Sequence, residues 1–212
     1  MDKKKTQKIY KVLTENYFHE EAFLVNSNPF QLLVATILSA QCTDKRVNMV
    51  TRDLFKKYRT VKDYASADQT AFEKDIRSTG FYRNKAKNII SAANIIIKQY
   101  GGKVPNTMDE LVTLPGVARK TANIVLFHGY GKREGIAVDT HVKRVSYRLG
   151  MTGETDPVKI ERDLMALFSE DKWGRLNNLI IEHGRKICDA RKPLCTECVL
   201  EKLCPKAGVD EK

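Results

Sequence analysis

The chain has 212 residues, 42% of them hydrophobic and 30% charged, with 37 Lys and Arg against 26 Asp and Glu for a formal charge of +11. That length suits one compact unit or two small packed domains, and the apolar share argues against disorder. The basic excess points to a polyanionic partner, because phosphates neutralised by Lys and Arg release their condensed counterions.

Nothing near the start reads as an export signal. Met-Asp-Lys-Lys-Lys is followed by polar Thr6, Gln7 and Lys8, where a signal peptide would turn apolar. The run around Leu32 to Ala40 is about half the length a membrane span needs. A cytoplasmic protein without membrane contact is therefore expected. In that compartment thiols stay reduced, so the cysteines read as ligands or buried residues.

Taken in chain order, the periodicity is helical almost throughout. Asn28-Pro29 precedes Leu32 to Leu38, a run apolar on every side that predicts a fully buried central helix. Between Lys85 and Tyr100, Ala86, Ile89, Ile90, Ala93, Ile96 and Ile97 recur at helical steps. Gly101-Gly102 with Pro105 then breaks the pattern. A segment ending at Leu114 meets the tight turn Pro115-Gly116, and a second helix is predicted from near Ala118. Gly129 to Gly131 and Gly150 to Gly153 punctuate the C-terminal part of the chain, with helical spacing at Val142, Val145 and Leu149 and again at Ile160, Leu164, Leu167 and Phe168. Strand-like alternation is scarce, and the fold class is all-α.

Chemistry concentrates in three stretches. In Leu111-Val-Thr-Leu-Pro-Gly-Val-Ala-Arg-Lys-Thr-Ala122, the turn aims backbone N–H groups and the positive end of the second helix outward, where a phosphate can sit. Arg119 and Lys120 fall in the first turn of that helix, a poor place for cations unless an anion arrives. In Ala137-Val-Asp-Thr-His-Val142, Asp139 precedes a basic helix carrying Lys143, Arg144 and Arg148, and by itself reads as an N-cap. The third stretch is Cys188-x6-Cys195-x2-Cys198-x5-Cys204. Four cysteines so close in a reduced compartment predict a metal site. Zinc sites usually use two short Cys-x-x-Cys knuckles and only Cys195/Cys198 is one, whereas uneven single-loop spacing also suits an iron–sulfur cubane. Arg191 and Lys192, in the loop between the first two cysteines, would be presented rigidly to phosphates.

Together with Leu38-Ser-Ala-Gln-Cys-Thr-Asp44 and His183-Gly-Arg185, these stretches resemble the endonuclease III family of helix–hairpin–helix DNA glycosylases, in order and over nearly the whole chain. The resemblance implies a helical barrel domain of residues 22–132, with the hairpin motif at about 108–127. It also implies a discontinuous domain of residues 1–21 plus 133–212 holding a [4Fe-4S] cluster on Cys188, Cys195, Cys198 and Cys204. Double-stranded DNA with damaged bases or abasic sites would bind a monomer across the cleft between them, in the nucleoid. Lys120 is then the nucleophile and Asp139 its carboxylate partner in a bifunctional glycosylase and abasic-site lyase acting on oxidised pyrimidines. Expected DNA contacts are Pro115, Gly116, Val117, Ala118 and Arg119 of the hairpin, with His141, Arg144, Arg191 and Lys192. Gln41 matches the residue that fills the gap left by the flipped base. Phe81, in Gly80-Phe-Tyr-Arg-Asn-Lys-Ala86, stands where the family often has a leucine wedge. Ala118 replaces the more usual hairpin glycine, which fits if that residue is already helical. Cys42 is left over as a buried packing residue.

The same residues allow two alternatives. Sister adenine-mismatch, thymine and uracil glycosylases tend to lack a lysine at the Lys120 position. A non-catalytic DNA-binding module would need the hairpin and metal loop, but neither feature requires the Asp139 carboxylate.

Overall fold

Apolar side chains at three- and four-residue steps form helices throughout the described residues, 2–17 and 23–209 of the computed structural model, and no strand is present among them. The chain divides into two compact units, Met1–Glu20 with Arg133–Lys212 and Glu21–Lys132. The residues around the expected boundary at 22 lie outside those described. The helix α1 spans Lys3–Asn16 and is capped by Asp2, whose carboxylate accepts the Lys5 N–H.

In the unit of residues 21–132 the helices are α2 (Pro29–Leu38), α3 (Asp44–Lys57), α4 (Val61–Ala65), α5 (Gln69–Ile76), α6 (Tyr82–Tyr100), α7 (Met108–Leu111) and α8 (Arg119–Ile124). The sequence of α2 is apolar all round because it is wrapped all round: every residue from Leu32 to Leu38 is buried, against α3, α6 and α8. Each buried leucine or isoleucine contributes about 1.5–3 kcal/mol through removal of its surface from water. Asn28 caps this helix through Gln31 N–H, and Pro29 follows at a position where its missing N–H costs no bond. The buried stripe of α6 is Ala86, Ile89, Ala92, Ala93 and Ile96, with Ile90 and Ile97 at its margin. An edge-on aromatic group of Phe30, Tyr64 and Phe72 closes the far end, with Tyr58 beside it. Past Ile124 the last helix continues as a wider π-turn over Val125–Gly129 rather than ending.

The other unit holds α1, α9 (Thr140–Arg148), α10 (Pro157–Leu167) and α11 (Trp173–Lys186), with α11 packed against both α1 and α9. The helices α9 and α11 lie against each other at Gly184. A Cβ there would come within 3.0 Å of His141 Nδ1 and 3.2 Å of Val145 Cγ2, so glycine allows an approach that a larger residue would have to push apart. The buried Asn177 amide of α11 donates to the carbonyl of Ala137. That bond fixes the buried segment Ile136–Val138, which delivers the chain to Asp139.

Candidate functional site

Leu114, Pro115, Gly116 and Val117 form a tight turn closed by Val117 N–H donating to Leu114 C=O at 3.1 Å. Gly116 takes φ +79, as the third residue of a type II turn requires, and a Cβ there would meet the Asn88 side chain at 3.0 Å. Helix α8 then starts at Arg119, with Ala118 at its N-cap offering no side-chain acceptor. The first helix amides therefore face outward without an intrahelical acceptor. The helix begins near Ala118 as expected, but Ala118 itself is the cap and not helical. Its φ of −93° and ψ of 170° are extended, a region any L-residue adopts, and that is why alanine can replace glycine. The Val117 side chain is buried, which leaves only its backbone available on this turn. Lys120 is the second residue of α8 and its side chain is exposed.

Asp139 is the N-cap of α9, its Oδ1 accepting the Val142 N–H at 2.8 Å. Capping uses one oxygen of a carboxylate that carries two. The side chain is half-buried. His141, two residues on, has its pKa lowered by burial, against the opposing charge of Asp139.

Gln41 and Phe81 lie in two turns of the residue 21–132 unit. Both are exposed, and both adopt left-handed backbone, φ 52 and φ 46. Residues other than glycine avoid that region, so both turns carry backbone strain that their surroundings hold in place. Cys42 is half-buried beside the α2 core rather than fully buried.

The four C-terminal cysteines line one cavity together with Arg148, His183 and apolar residues such as Leu149, Ile187 and Leu194. Burial pushes the Cys198 and Cys204 thiols up, and the neighbouring cysteines push the same way. His183 is buried, its pKa pushed down to about 4 by desolvation, with Nδ1 2.8 Å from Tyr17 Oη and Nε2 3.8 Å from Cys198 Sγ. In the loop after Cys188, the Asp189 carboxylate accepts the Lys192 and Arg191 N–H groups, which lower its pKa in that order. The Arg191 and Lys192 side chains point into solvent.

A family model described as HhH-GPD superfamily base excision DNA repair protein matches residues 34–170. Endonuclease III of Synechocystis is 53% identical over 97% of this chain and 94% of its own length, and that of Bacillus subtilis 50% identical over 92% and 89%. The chain belongs to the endonuclease III family. It is accordingly a base-excision repair enzyme, a DNA glycosylase and abasic-site lyase. Among solved structures, a non-covalent endonuclease III–DNA complex and a trapped endonuclease III–DNA covalent intermediate with an estranged adenine each superpose with a TM-score of 0.93 at 42% identity. Both cover 97% of this chain, and the chain covers 96% and 97% of theirs.

Within this member of the endonuclease III family, two basic residues are tied down by the fold. Arg144, expected on DNA, donates through Nε to Cys188 C=O at 3.1 Å and through Nη2 to Gly184 C=O at 3.0 Å. Its Nη2 also lies 3.0 Å from His141 Nδ1. Arg148, which the sequence shows only as one more helix cation, is buried and organises the cysteine loop. It donates to Asp189 C=O at 2.6 Å, Ala190 C=O at 2.9 Å and Cys188 Sγ at 3.4 Å. The signal available in the sequence was its helical phase, which puts position 148 on the buried side with Val145 and Leu149. Arg148→Met keeps the stem and deletes the charged donors to both carbonyls and to Cys188 Sγ. We expect it to lower unfolding free energy by about 2–4 kcal/mol, measured by denaturant titration. A midpoint equal to wild type would show that the loop orders without it.

Proposed function

We propose that this endonuclease III chain excises oxidised pyrimidines from double-stranded DNA and cuts the resulting abasic site on its 3′ side, with Lys120 as nucleophile and Asp139 as proton acceptor. One observation carries the reading: Lys120 stands exposed in the first turn of α8, directly after a phosphate-binding type of turn. The trapped covalent intermediate of a protein 42% identical supports it.

The chemistry rests on the groups present. A damaged nucleotide leaves the stack more cheaply than a sound one. The uncharged Lys120 amine forms a bond to the deoxyribose C1′ while the C1′–base bond breaks, and the base leaves with a proton. Asp139 favours the cationic sugar by charge, accepts the proton that the attacking nitrogen sheds and passes it to the departing base. Ring opening gives a Schiff base. Loss of a C2′ proton then expels the 3′ phosphate, and water releases the amine. Lys120 is wet in the free chain, so bound DNA is what must displace water from it. Pro115, Gly116, Ala118 and Arg119 serve the phosphate beside the lesion, Arg191 and Lys192 a second one. Gln41 enters the space the base vacates, and Phe81 wedges beside the opposite base. The enzyme acts as a monomer in the nucleoid.

The four cysteines fit a [4Fe-4S] cluster. They are thiols alone and they line one cavity, and burial disfavours free thiolates at Cys198 and Cys204 unless a cationic centre binds them. When bound, the cluster supplies cross-linking of the loop rather than reaction chemistry. Residues 188–204 then present Arg191 and Lys192 in a fixed position. Purified protein is expected to be brown, with broad absorbance near about 400 nm and about four iron per chain. Colourless protein carrying one zinc would overturn this assignment.

Incubating wild-type protein with abasic-site duplex and borohydride tests the central reading. A covalent adduct is expected. Tight binding without cleavage or adduct would favour a non-catalytic DNA-binding module.

A further inference from the structure

The turns bearing Gln41 and Phe81 are far apart in sequence, yet one buried cation holds both. Lys85 of α6 is only 4% exposed. Its Nζ donates to Leu38 C=O at 2.7 Å and to Thr79 C=O at 2.8 Å. Leu38 is the last residue of α2, three before Gln41, and Thr79 ends the 3-10 turn Arg77–Thr79, two before Phe81. Both carbonyls lie at helix ends, where no further helix amide reaches them and the backbone dipoles leave partial negative charge. An ammonium with three donors suits that position. The main-chain N–H of Lys85 also donates to Phe81 C=O at 3.1 Å, so the residue grips the Phe81 turn from both sides.

An apolar side chain would fill this space without the desolvation that burying an ammonium costs. What an apolar residue cannot do is tie two turns that each hold an exposed non-glycine residue at positive φ. Left-handed backbone of this kind persists only where its surroundings fix it.

We propose that Lys85 is a positioning residue whose ammonium locks the Gln41 turn to the Phe81 turn, so that the two side chains enter the base stack in fixed register. The inference rests on the proposed entry of Gln41 and Phe81 into the DNA. It assigns Lys85 no contact with substrate.

The test compares two reactions of holoenzyme. Single-turnover excision of thymine glycol from duplex DNA requires the stack to be parted, and cleavage of a preformed abasic site in a single strand does not. Lys85→Met is expected to slow the first by about thirtyfold to a hundredfold, the scale of a small misplacement, and the second by less than about threefold. The fluorescence rise of 2-aminopurine placed opposite the lesion should shrink in parallel. Gln41→Ala and Phe81→Ala should each slow duplex excision. If neither does, the underlying reading of those two residues fails. If they do and Lys85→Met slows both reactions equally, or neither, the positioning role is overturned. Added to the Gln41→Ala/Phe81→Ala pair, Lys85→Met should produce no further loss. Should Lys85→Met not fold, Lys85→Gln, which keeps a donor for one carbonyl, is put through the same comparison. Failure of both to fold would make Lys85 a structural anchor only and overturn the proposal.

Discussion

Lys120→Ala is expected to bind abasic-site duplex about as well as wild type, to cleave it at least about a thousandfold more slowly, and to give no borohydride-stable adduct. The expected size reflects the role: removing the nucleophile removes the covalent route altogether, leaving only slow elimination promoted by the rest of the site. The fold makes the experiment clean. Lys120 is exposed in the second position of α8, so the substitution opens no cavity, and surface changes of this kind usually stay within about 0.5 kcal/mol. Alanine is the strongest helix former, and deleting a cation from a helix N-terminus relieves repulsion with the dipole. Thermal stability should therefore be unchanged or slightly higher, and any loss of activity cannot be charged to unfolding. Adduct yield equal to wild type would remove Lys120 as the attacking group and leave another amine to be sought.

Much of the framework was legible because it rests on local rules. Periodic apolar residues in Lys85 to Tyr100 mark a helix whose inward face is buried, and a nearly unbroken apolar run in a chain with scarce strand alternation marks a helix covered on all sides, as α2 is. Asp139 reads as a cap from its residue type and place, and it does cap. Four closely spaced cysteines announce a shared site, and they line one cavity. What sequence could not show depends on partners distant along the chain. Arg144 reads as a free phosphate ligand until the carbonyls of Gly184 and Cys188 meet its guanidinium. Lys85 reads as an ordinary helix lysine, since nothing local marks its amine as meeting Leu38, 47 positions earlier. The widening of the helix at Val125–Gly129 is likewise unmarked, because a π-turn leaves the apolar pattern almost intact. Catalytic pairing of Lys120 with Asp139 came from resemblance, not from spacing.

Asp139 raises the sharper question, because the same carboxylate caps a helix and is assigned a proton. Two substitutions separate the jobs. Asparagine caps as well as aspartate, so Asp139→Asn should leave the midpoint of unfolding within about 0.5 kcal/mol of wild type. It loses the charge and the basic oxygen, and its base excision should fall by about a hundredfold to ten-thousandfold, the range for a general base removed. Asp139→Ala loses both jobs. It should match Asp139→Asn in activity while also losing about 1 kcal/mol of stability, a fall of about 2–4 °C for a chain of this size. DNA affinity, measured with a non-cleavable abasic analogue, should not fall in either variant, because each removes a negative charge from a surface meant for phosphates. If Asp139→Asn keeps near-wild-type excision while Asp139→Ala loses it, capping is the residue's whole contribution, and Lys120 must hand its proton to water or to the departing base.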